Sequence, residues 1–452
     1  MSEAMKEHDG TKNRRFKPYP SYKGSGVEWL GDIPAHWESC ALGRAFGVQG
    51  GFAFRSEDFV ADGIPVVRMS NLKAGQIDLN QAVRIPETLA SEAFALRAGD
   101  LLVGMSGSIS NYAWLTELDV PCQLNQRVGR VYERSGSGYL RFAMYVLGSL
   151  PAIYQVDLLA AGTAQQNISA WQLEHIRLTL PPRGEQRAIA AFLDRETAEV
   201  DALVAKKERL IEQLHERRSA LITRTVTKGL DQNVPTKDSG VEWLGEIPVH
   251  WEVKRLKYLG DAIIGLTYEP SDVVGTDDEG VLVLRASNVK DGHIALEDNV
   301  FVRCAIPDRL RTKPGDILIC SRSGSRALIG KSAKIDGTTV GLTFGTFMTV
   351  FRSVCNDYLF YVFNSMLFEY QSGAFLTSTI NQLTVNNLKD FTVPVPPDGE
   401  QSAITNFLGR ETAKIDALVT TVSDAIGRLK ELRTSLISAA VTGKIDVREE
   451  AA

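Results

Sequence analysis

The chain has 452 residues, of which 44% are hydrophobic and 23% are charged, a composition typical of globular proteins. Its formal net charge is −5, which argues against a uniformly basic nucleic-acid-binding surface but leaves room for a local basic face. No apolar run is long enough to span a membrane, the polar N-terminus lacks the apolar segment of a secretory signal, and five scattered cysteines without a CxxC pair favour reduced thiols in a cytosol.

The chain begins with a polar segment, residues 1–18, which we predict to be a disordered tail. The sequence SGVEWLGDIPAHWE follows from Ser25 to Glu38, and it returns 214 residues later as SGVEWLGEIPVHWE, from Ser239 to Glu252. We call these two stretches the frame motifs. Twelve of their fourteen positions are identical, which indicates a tandem duplication of a domain-sized unit.

A histidine recurs in each frame motif, as His36 and His250. A recurring histidine is a candidate catalytic or metal-binding residue. No second histidine, cysteine or carboxylate recurs nearby at the spacing of metal ligands, so we interpret both histidines as structural and predict no metal site.

Between its repeated ends, each half of the chain is diverged. Short apolar runs alternate there with turn residues, which predicts two α+β domains with irregular sheets. Strands are predicted at Ile64–Met69, Leu101–Val103, Arg177–Leu180, Val281–Arg285, Asp316–Cys320 and Val340–Phe351, and short helices at Tyr139–Leu150 and Leu359–Phe368.

A long helix is predicted after each domain. PPRGEQ from Pro181 matches PPDGEQ from Pro396, and no proline or glycine interrupts the stretch from Glu185 to Lys228. Apolar residues recur every seven positions in both helices, which favours coiled-coil packing. The seam residues are Leu193, Val200, Leu214, Leu221, Leu408, Ile415, Val422, Leu429 and Leu436, with Leu203, Val204, Leu210, Ile211, Leu418, Val419, Ile426 and Leu432 beside them.

The two seams are alike, so the simplest way to bury both is against each other. Parallel and antiparallel packing are both compatible with the sequence, because a whole domain connects the helices. Antiparallel packing relates the two halves by an approximate two-fold axis. It also brings VTGKIDV, from Val441, close to the first frame motif.

We find no complete catalytic motif in the chain. The stretch from Gly324 to Ser332 ends in Gly-Lys-Ser, but five residues separate its glycines where a phosphate-binding loop needs four. No Ser/His/Asp set or pair of carboxylates recurs in both halves. The sequence therefore predicts no catalytic residues, and an NTP-dependent enzyme would rest on this imperfect loop alone.

Polar residues recur at matching places in the diverged segments. Arginine, asparagine and glutamine read base edges, whereas serine, threonine and lysine hold phosphates, so these residues are candidates for DNA contact. The alternative is that they are loop residues that cap strands. The candidates are Arg68, Asn71, Lys73, Ser106, Ser108, Gln165, Gln166 and Asn167 in the first half, and Arg285, Asn288, Lys290, Arg322, Ser323, Arg326, Asn381 and Gln382 in the second.

With its paired frame motifs, its two GEQxAIxxFLxRETAxxDALV helices and its two diverged middles, the chain resembles a type I restriction–modification specificity subunit. The resemblance implies two target-recognition domains, each reading one half of a bipartite DNA site, on two long antiparallel spacer helices. The expected segments are a tail (1–18), domain 1 (19–182), helix 1 (183–230), domain 2 (231–397), helix 2 (398–446) and a tail (447–452).

The resemblance also implies partners. They are double-stranded DNA, two modification subunits that bind S-adenosylmethionine and methylate adenine, and restriction subunits that use ATP and magnesium. It implies no cofactor in this chain, no membrane partner and a cytoplasmic location. The alternative function is a stand-alone tandem DNA-binding regulator, which would bind its site tightly without a modification partner.

Overall fold

The computed structural model describes residues 16–73, 75–106, 111–160, 167–275, 277, 279–374 and 382–449. They form two compact units. Unit 1 comprises the residues up to Lys207 together with those from Asp424 onward, and unit 2 runs from Glu208 to Ser423. Each unit therefore contains one diverged segment and a part of each long helix.

Unit 1 combines short strands with three short helices and the start of a long helix. The strands are β1 (Tyr22–Gly24), β2 (Asp32–Pro34), β3 (Glu38–Ala41), β4 (Phe46–Gly50), β5 (Ile64–Val67), β6 (Leu72–Lys73), β7 (Gln76–Ile77), β8 (Arg84–Ile85), β9 (Ala95–Leu96), β10 (Leu101–Gly104), β11 (Tyr112–Trp114), β12 (Cys122–Leu124), β13 (Val128–Glu133) and β14 (Arg177–Leu180). The helices are α1 (Leu140–Leu147), α2 (Leu150–Ala160), α3 (Ala170–His175) and α4 (Arg183–Lys228).

Unit 2 has a similar order of elements. Its strands are β15 (Thr236–Asp238), β16 (Glu246–Pro248), β17 (Glu252–Arg255), β18 (Asp261–Ile264), β19 (Val273–Val274), β20 (Val281–Leu284), β21 (Val289–Lys290), β22 (His293–Ile294), β23 (Phe301–Val302), β24 (Ile317–Cys320), β25 (Ser332–Lys334), β26 (Thr343–Phe344), β27 (Met348–Arg352) and β28 (Thr392–Val395). Its helices are α5 (Asn356–Phe363), α6 (Met366–Gly373), α7 (Val385–Asp390) and α8 (Asp398–Val441).

The main sheet has the same topology in both units. Its strand order is β11-β10-β13-β4 in unit 1 and β25-β24-β27-β18 in unit 2, with antiparallel pairing throughout. A second four-stranded sheet in each unit contains one parallel pair, β5 with β12 and β20 with β26. The α+β class predicted from the sequence is confirmed.

The central strand of each main sheet is buried on both faces, which explains its continuous apolar sequence. Successive side chains of a strand point to opposite faces. In β10, Leu101 and Val103 belong to the core that contains α1, whereas Leu102 belongs to a second core under the loops. In β24 the same positions are held by Ile317, Ile319 and Leu318.

Two predicted elements are divided in the structure. The predicted strand Val340–Phe351 contains β26 and β27, separated by a turn at Gly345–Phe347, and the predicted helix Leu359–Phe368 spans the end of α5 and the start of α6. Apolar segments flank both breaks, and the predicted elements ran across the turn residues Gly345-Thr346 and Asn364-Ser365 that separate them. At the second break, Ser365 Oγ donates 2.6 Å to the carbonyl oxygen of Val362, which closes the turn after α5.

The two long helices contain 46 and 44 residues, or about 69 and 66 Å at 1.5 Å per residue. They end before the predicted boundaries. α4 is followed at once by Gly229, and α8 by Thr442 and Gly443. Both glycines adopt the left-handed conformation, with φ of +74° and +73°, which ends a helix because a side chain there would be strained.

Within each unit the long helices pack antiparallel, as predicted. In unit 1 the end of α8, with Ala440 and Val441, shares a core with the start of α4 at Ile189 and Leu193. In unit 2 the end of α4, at Ile222 and Val226, shares a core with the start of α8 at Ile404 and Leu408.

Equivalent ion pairs join the helices in the two units. Arg433 Nε donates to Asp201 Oδ1 over 2.9 Å in unit 1, and Arg218 Nε donates to Asp416 Oδ1 over 3.0 Å in unit 2.

The buried stripe on the helices differs from the predicted seam on one side. Leu203, Leu210, Leu418 and Leu432 are 46%, 42%, 53% and 55% exposed. Each lies three positions after a heptad seam position, whereas the buried or half-buried residues such as Val204 lie four positions after it. A pair of helices covers one narrow stripe, so widening the seam to both positions was wrong.

The end of α8 packs against the first frame motif, as predicted from the repeat. Tyr22 Oη donates 3.1 Å to the carbonyl oxygen of Gly443, and Lys444 Nζ donates 3.3 Å to that of Asp32. A Cβ atom on Gly443 would lie 2.3 Å from Pro34 Cδ. In unit 2, Lys228 Nζ donates to the carbonyl oxygen of Glu246 in the same way.

The predicted tails are partly ordered. Residues 1–15 and 450–452 lie outside the described residues. Phe16 packs edge-on against Phe192 with ring centroids 5.2 Å apart, and Lys17 forms a β-bridge with Asp446. Val447 is fully buried. The described parts of the predicted tails therefore pack against unit 1, because the two ends of the described chain pair with each other.

By length and composition, no single helix in the described part of the chain could cross a membrane, and one bent pair, Leu140–Leu147 with Leu150–Leu159, passes that test. Six of the eight residues of the first helix are buried in the core of unit 1.

Candidate nucleic-acid interface

The first group of candidate residues lies in a tight turn after β5 and again after β20. Asn71 and Asn288 are buried, 4% and 0% exposed, and close this turn. In each unit the asparagine Oδ1 accepts a 2.9 Å hydrogen bond from the backbone N–H of the arginine three residues earlier. Its Nδ2 donates to a backbone carbonyl, that of Asp78 at 2.9 Å or Ala295 at 2.8 Å. Both side-chain amides therefore form hydrogen bonds within the turn. This is the role of a structural loop residue, the alternative to DNA contact.

The arginine of the turn has different surroundings in the two units. Arg285 Nη2 donates to Asp298 Oδ2 over 2.8 Å, whereas the guanidinium of Arg68 has no ion-pair partner among the described residues. Both arginines are half-buried, and their Nε atoms are buried without a hydrogen bond to any described group. Arg68 is thus the more available of the two for an anionic ligand.

The lysines of the turn follow the same pattern. Lys290 Nζ donates to Glu297 Oε2 over 2.5 Å, and this hydrogen bond and the lysine charge lower the pKa of Glu297. Lys73 is exposed and has no ion-pair partner within the described part of the chain. The turn of unit 1 therefore presents two uncompensated positive charges, and that of unit 2 presents two charges already paired with carboxylates.

A second group of candidates meets where the central strand of the main sheet ends. Gly104 and Cys320 end β10 and β24, and they pair with the first residues of β13 and β27. The residues just beyond these ends are therefore neighbours. We call this place the loop junction, formed by residues 105–106, 127 and 167–168 in unit 1 and by residues 321–322, 347 and 382–383 in unit 2.

The backbone of the loop junction is the same in both units. The N–H of Met105 donates to the carbonyl of Arg127, and that of Ile168 to the carbonyl of Met105, both over 2.9 Å. In unit 2 the equivalent bonds run from Ser321 to Phe347 at 2.9 Å and from Leu383 to Ser321 at 2.8 Å. Isolated β-bridges complete the match, Ser106 with Asn167 and Arg322 with Gln382.

The side chains on this common backbone differ. Unit 1 presents Ser106, Arg127 and Asn167, and Arg127 Nη1 donates to Asn167 Oδ1. Unit 2 presents Arg322, Phe347 and Gln382, and the Arg322 guanidinium lies over the Phe347 ring, 5.1 Å from its centroid.

Arg127 and Phe347 were not among the residues predicted from the sequence. The stretches around them, LNQR and FGTF, are not alike. Only their place immediately before β13 and β27 shows that they are equivalent.

The other candidates are not joined to these two groups by a described side-chain contact. Ser323 Oγ accepts a 3.1 Å hydrogen bond from the N–H of Ser325, and Arg326 is exposed at the start of a 3₁₀ turn. Ser108, Gln165, Gln166 and Asn381 lie outside the described residues.

The Gly-Lys-Ser stretch does not form a phosphate-binding loop. Such a loop leads into a helix N-terminus with free backbone N–H groups, whereas Ser332 begins strand β25. The N–H of Gly330 donates to the carbonyl of Cys320 over 2.9 Å, and that of Lys331 to the carbonyl of Leu328 over 3.2 Å. These amides are therefore not available to a nucleotide.

The recurring histidines bind the start of the long helices. His36 Nε2 lies 2.8 Å from Glu185 Oε2, and His250 Nε2 lies 2.7 Å from Glu400 Oε2. These contacts fit the structural role predicted for the histidines. Among the described residues, no group of three or more histidine, cysteine, aspartate or glutamate side chains could hold a metal ion.

The matches of this chain to known proteins agree with one another. A family model described as the type I restriction modification DNA specificity domain matches residues 34–213 and again 248–426. The EcoBI specificity subunit of Escherichia coli is 24% identical over 436 residues, which cover 93% of this chain and 88% of the relative. The EcoKI specificity subunit of Escherichia coli strain K12 is 23% identical over 439 residues, covering 92% and 90%.

A solved structure has a similar fold. Its chain comes from work on complex assembly and conformational transition of the type I R-M system, and it superimposes with a TM-score of 0.61 at 19% identity. The match covers 90% of this chain and 98% of the other. The two-domain fold with long helices is therefore shared with that solved chain.

Proposed function

The chain belongs to the family of type I restriction–modification DNA specificity subunits, and from that premise we propose that each of its units reads one half of a bipartite DNA sequence. A subunit of this family recognises DNA and has no catalytic activity of its own, because the partner subunits carry the enzymatic activities. Residues 19–182 and 231–397 are the proposed recognition domains.

The loop junction is the observation that supports one half-site per unit. It occurs once in each unit on the same pattern of backbone hydrogen bonds, and it carries different side chains in the two copies. Two equivalent surfaces with different side chains suit two half-sites of different sequence. We retain the other exposed or half-buried candidates, Arg68, Lys73, Arg326 and the paired Arg285 and Lys290, as proposed DNA contacts.

The long helices are proposed to set the distance between the half-sites. A helix has a fixed rise per residue, so two paired helices act as a spacer of defined length. The proposed spacer segments are residues 183–230 and 398–446, of which the helical parts are Arg183–Lys228 and Asp398–Val441.

The exposed leucines on the helices are proposed docking positions for two modification subunits. Unit 1 exposes Leu203 and Leu432, and unit 2 exposes Leu210 and Leu418. Leu203 and Leu418 are equivalent under the repeat, so each unit offers one member of this equivalent pair.

We predict that Leu418→Glu reduces the stoichiometry of the purified complex from two modification subunits to one, as measured by native mass spectrometry. Retention of two would exclude Leu418 from the docking surface.

The cofactors and the location of the complex are also part of the proposal. The modification subunits would bind S-adenosylmethionine and methylate adenine, and restriction subunits would use ATP and magnesium. This chain itself would bind none of these cofactors. The complex would work in the cytoplasm, where bacterial DNA and these cosubstrates are found together.

Modification mapping tests this function. The methylome of a host that carries the modification genes should contain a methylated bipartite motif only when this chain is expressed. The alternative, a stand-alone regulator, predicts tight binding of the purified chain to its site without partners. A specificity subunit should bind its site strongly only after modification subunits are added, and nanomolar binding by the chain alone would favour the regulator.

A further inference from the structure

We propose that the loop junction is the base-reading surface of each unit, with Arg127 in unit 1 and Arg322 in unit 2 each contacting a guanine in the major groove. This inference rests on the proposed function, and it adds the side chains that determine specificity and the base that they read. Asn167 and Phe347 are positioning residues for the two arginines.

The pattern of identity between the units separates phosphate contacts from base contacts. Every nucleotide presents the same phosphate, so a phosphate-binding side chain has no reason to differ between the two units. The turn residues do not differ, since Arg68 and Lys73 correspond to Arg285 and Lys290. These residues suit phosphate contacts at both half-sites, although in unit 2 both side chains are already paired with carboxylates.

The loop junction shows the opposite pattern. All three of its exposed or half-buried positions differ between the units, while the backbone hydrogen bonds that hold them are the same. The equivalent pairs are Ser106 and Arg322, Arg127 and Phe347, and Asn167 and Gln382. A scaffold that is kept while its side chains change is what two different base sequences require.

The chemistry of these side chains is that of base readout. An arginine donates two parallel hydrogen bonds to O6 and N7 of guanine, and no other base presents two acceptors on that edge. Each junction combines one arginine with one carboxamide, although the arginine occupies position 127 in unit 1 and position 322 in unit 2. The two units thus present the same pair of functional groups, with the carboxamide at equivalent positions and the arginine on different loops.

Both arginines are exposed but held in place. Arg127 is oriented by its hydrogen bond to Asn167, and Arg322 by the face of the Phe347 ring. A guanidinium that is already oriented loses less side-chain entropy when it binds. Neither arginine forms an ion pair with a carboxylate among the described residues, in contrast to Arg285 with Asp298. Donors therefore remain for a base.

The test uses the full chain in complex with its modification subunits. Methylated motifs are mapped for Arg127→Ala and Arg322→Ala, and affinity for the native site is measured at several salt concentrations. Each variant should lose its preference at one guanine position of one half-site, with affinity about 5- to 150-fold lower. The unaffected half-site is an internal control, because a misfolded chain would not retain it.

Arg68→Ala is the matched comparison. It should weaken binding to all sequences alike, reduce the salt dependence by about one phosphate contact and leave the motif unchanged. If instead Arg127→Ala and Arg322→Ala behave like this comparison variant, with every base preference intact, the junction arginines contact phosphates and the inference is wrong.

Two further probes identify the base. At the position affected by Arg127→Ala, 7-deazaguanine removes the N7 acceptor, so it should weaken binding by the wild-type complex and have no further effect on the variant. Equal weakening of both would overturn the guanine contact. If Arg127→Ala methylates nothing, Arg127→Lys decides, since it keeps the charge and loses the two-pronged geometry. A relaxed position supports the inference, and the full native motif contradicts it.

The outcome also separates this inference from the proposed function. A wild-type complex that methylates no bipartite motif would refute the function itself. A wild-type complex with a defined motif, together with unchanged motifs in both alanine variants, would refute only the assignment of base reading to the loop junction.

Discussion

At the scale of single residues, Asn71 and Asn288 show that a recurring polar side chain need not face the ligand. Each satisfies a backbone N–H and a backbone carbonyl within its turn, and each is almost completely buried. Their function is to hold the neighbouring arginine and lysine in position. Replacing either asparagine is expected to cost stability, because the backbone N–H and carbonyl groups that it satisfies would be left without a hydrogen bond.

We predict that Asn71→Ala and Asn288→Ala each lower the free energy of unfolding by about 1–3 kcal/mol and leave the methylated motif unchanged. Urea denaturation measures the first effect and modification mapping the second. Ser70→Ala is the control, since Ser70 is exposed in the same turn and should change stability by no more than about 0.5 kcal/mol. Unchanged stability with a relaxed motif would return the asparagines to the base-reading surface.

Sequence reasoning found the turn residues but not their roles. The repeat marks Arg68 and Asn71 equally, because both recur in the second half, and only the structure shows that one is available and the other buried. Arg127 and Phe347 carry no such mark, since they differ in type and lie in dissimilar stretches. Their equivalence follows from strand pairing, which a single sequence does not reveal.

At the scale of elements, divergence between the units includes paired changes in size. In unit 1 the Tyr112 ring fills the space over Gly148, where a Cβ atom would lie 2.8 Å from the tyrosine Oη. The equivalent residues of unit 2 are Ser332 and Asn364, and Asn364 Nδ2 donates 3.0 Å to Ser332 Oγ. A cavity of about 210 Å³ lies beside them. The fold is thus kept by compensation that neither sequence half shows alone.

The glycines that end the two long helices should differ in how much an alanine substitution destabilises the chain. Gly443→Ala should destabilise the chain more than Gly229→Ala. Both have positive φ, which costs a non-glycine residue about 1–2 kcal/mol. The added Cβ would also lie 2.3 Å from Pro34 Cδ at position 443, against 3.1 Å from a Glu400 carboxylate oxygen at position 229.

Gly427→Ala is the control for this series. Gly427 lies within α8, and a Cβ atom there would meet nothing within 4 Å. Alanine should therefore stabilise the helix by up to about 1 kcal/mol. Thermal unfolding of the three variants measures the order, and an equal effect at positions 229 and 443 would contradict the close packing of α8 on the first frame motif.

The existence and length of the long helices could be predicted from the seven-residue repeat. Their direction could not, because the repeat fits parallel and antiparallel packing alike and only the family resemblance implied the antiparallel one. Which of the two flanking positions of the seam the partner helix covers could not be predicted either. Leucine fits both flanking positions in composition, and which one is covered depends on how the partner helix crosses. The arginines of the ion pairs Arg433–Asp201 and Arg218–Asp416 lie on the covered side, four positions after a seam position.

At the scale of the whole molecule, the helices are expected to act as a ruler. Seven residues inserted after Val204 and after Val419 keep the heptad register and add about 10 Å of helix. At about 3.4 Å per base pair, the gap between half-sites should lengthen by two or three base pairs, with weaker binding because the DNA also rotates. Modification mapping reads the gap directly. Activity at the original gap would show that the helices do not set it.

The most direct test of one half-site per unit is a chain that carries the same recognition segment twice. Residues 254–395 would replace residues 40–180 between the unchanged frame motif and helix, and the methylome of a host with this variant and its modification subunits would be mapped. We predict a motif in which both halves carry the base sequence now read by unit 2. A motif that keeps its original first half, or that changes in both halves, would contradict the assignment of one half-site to each unit.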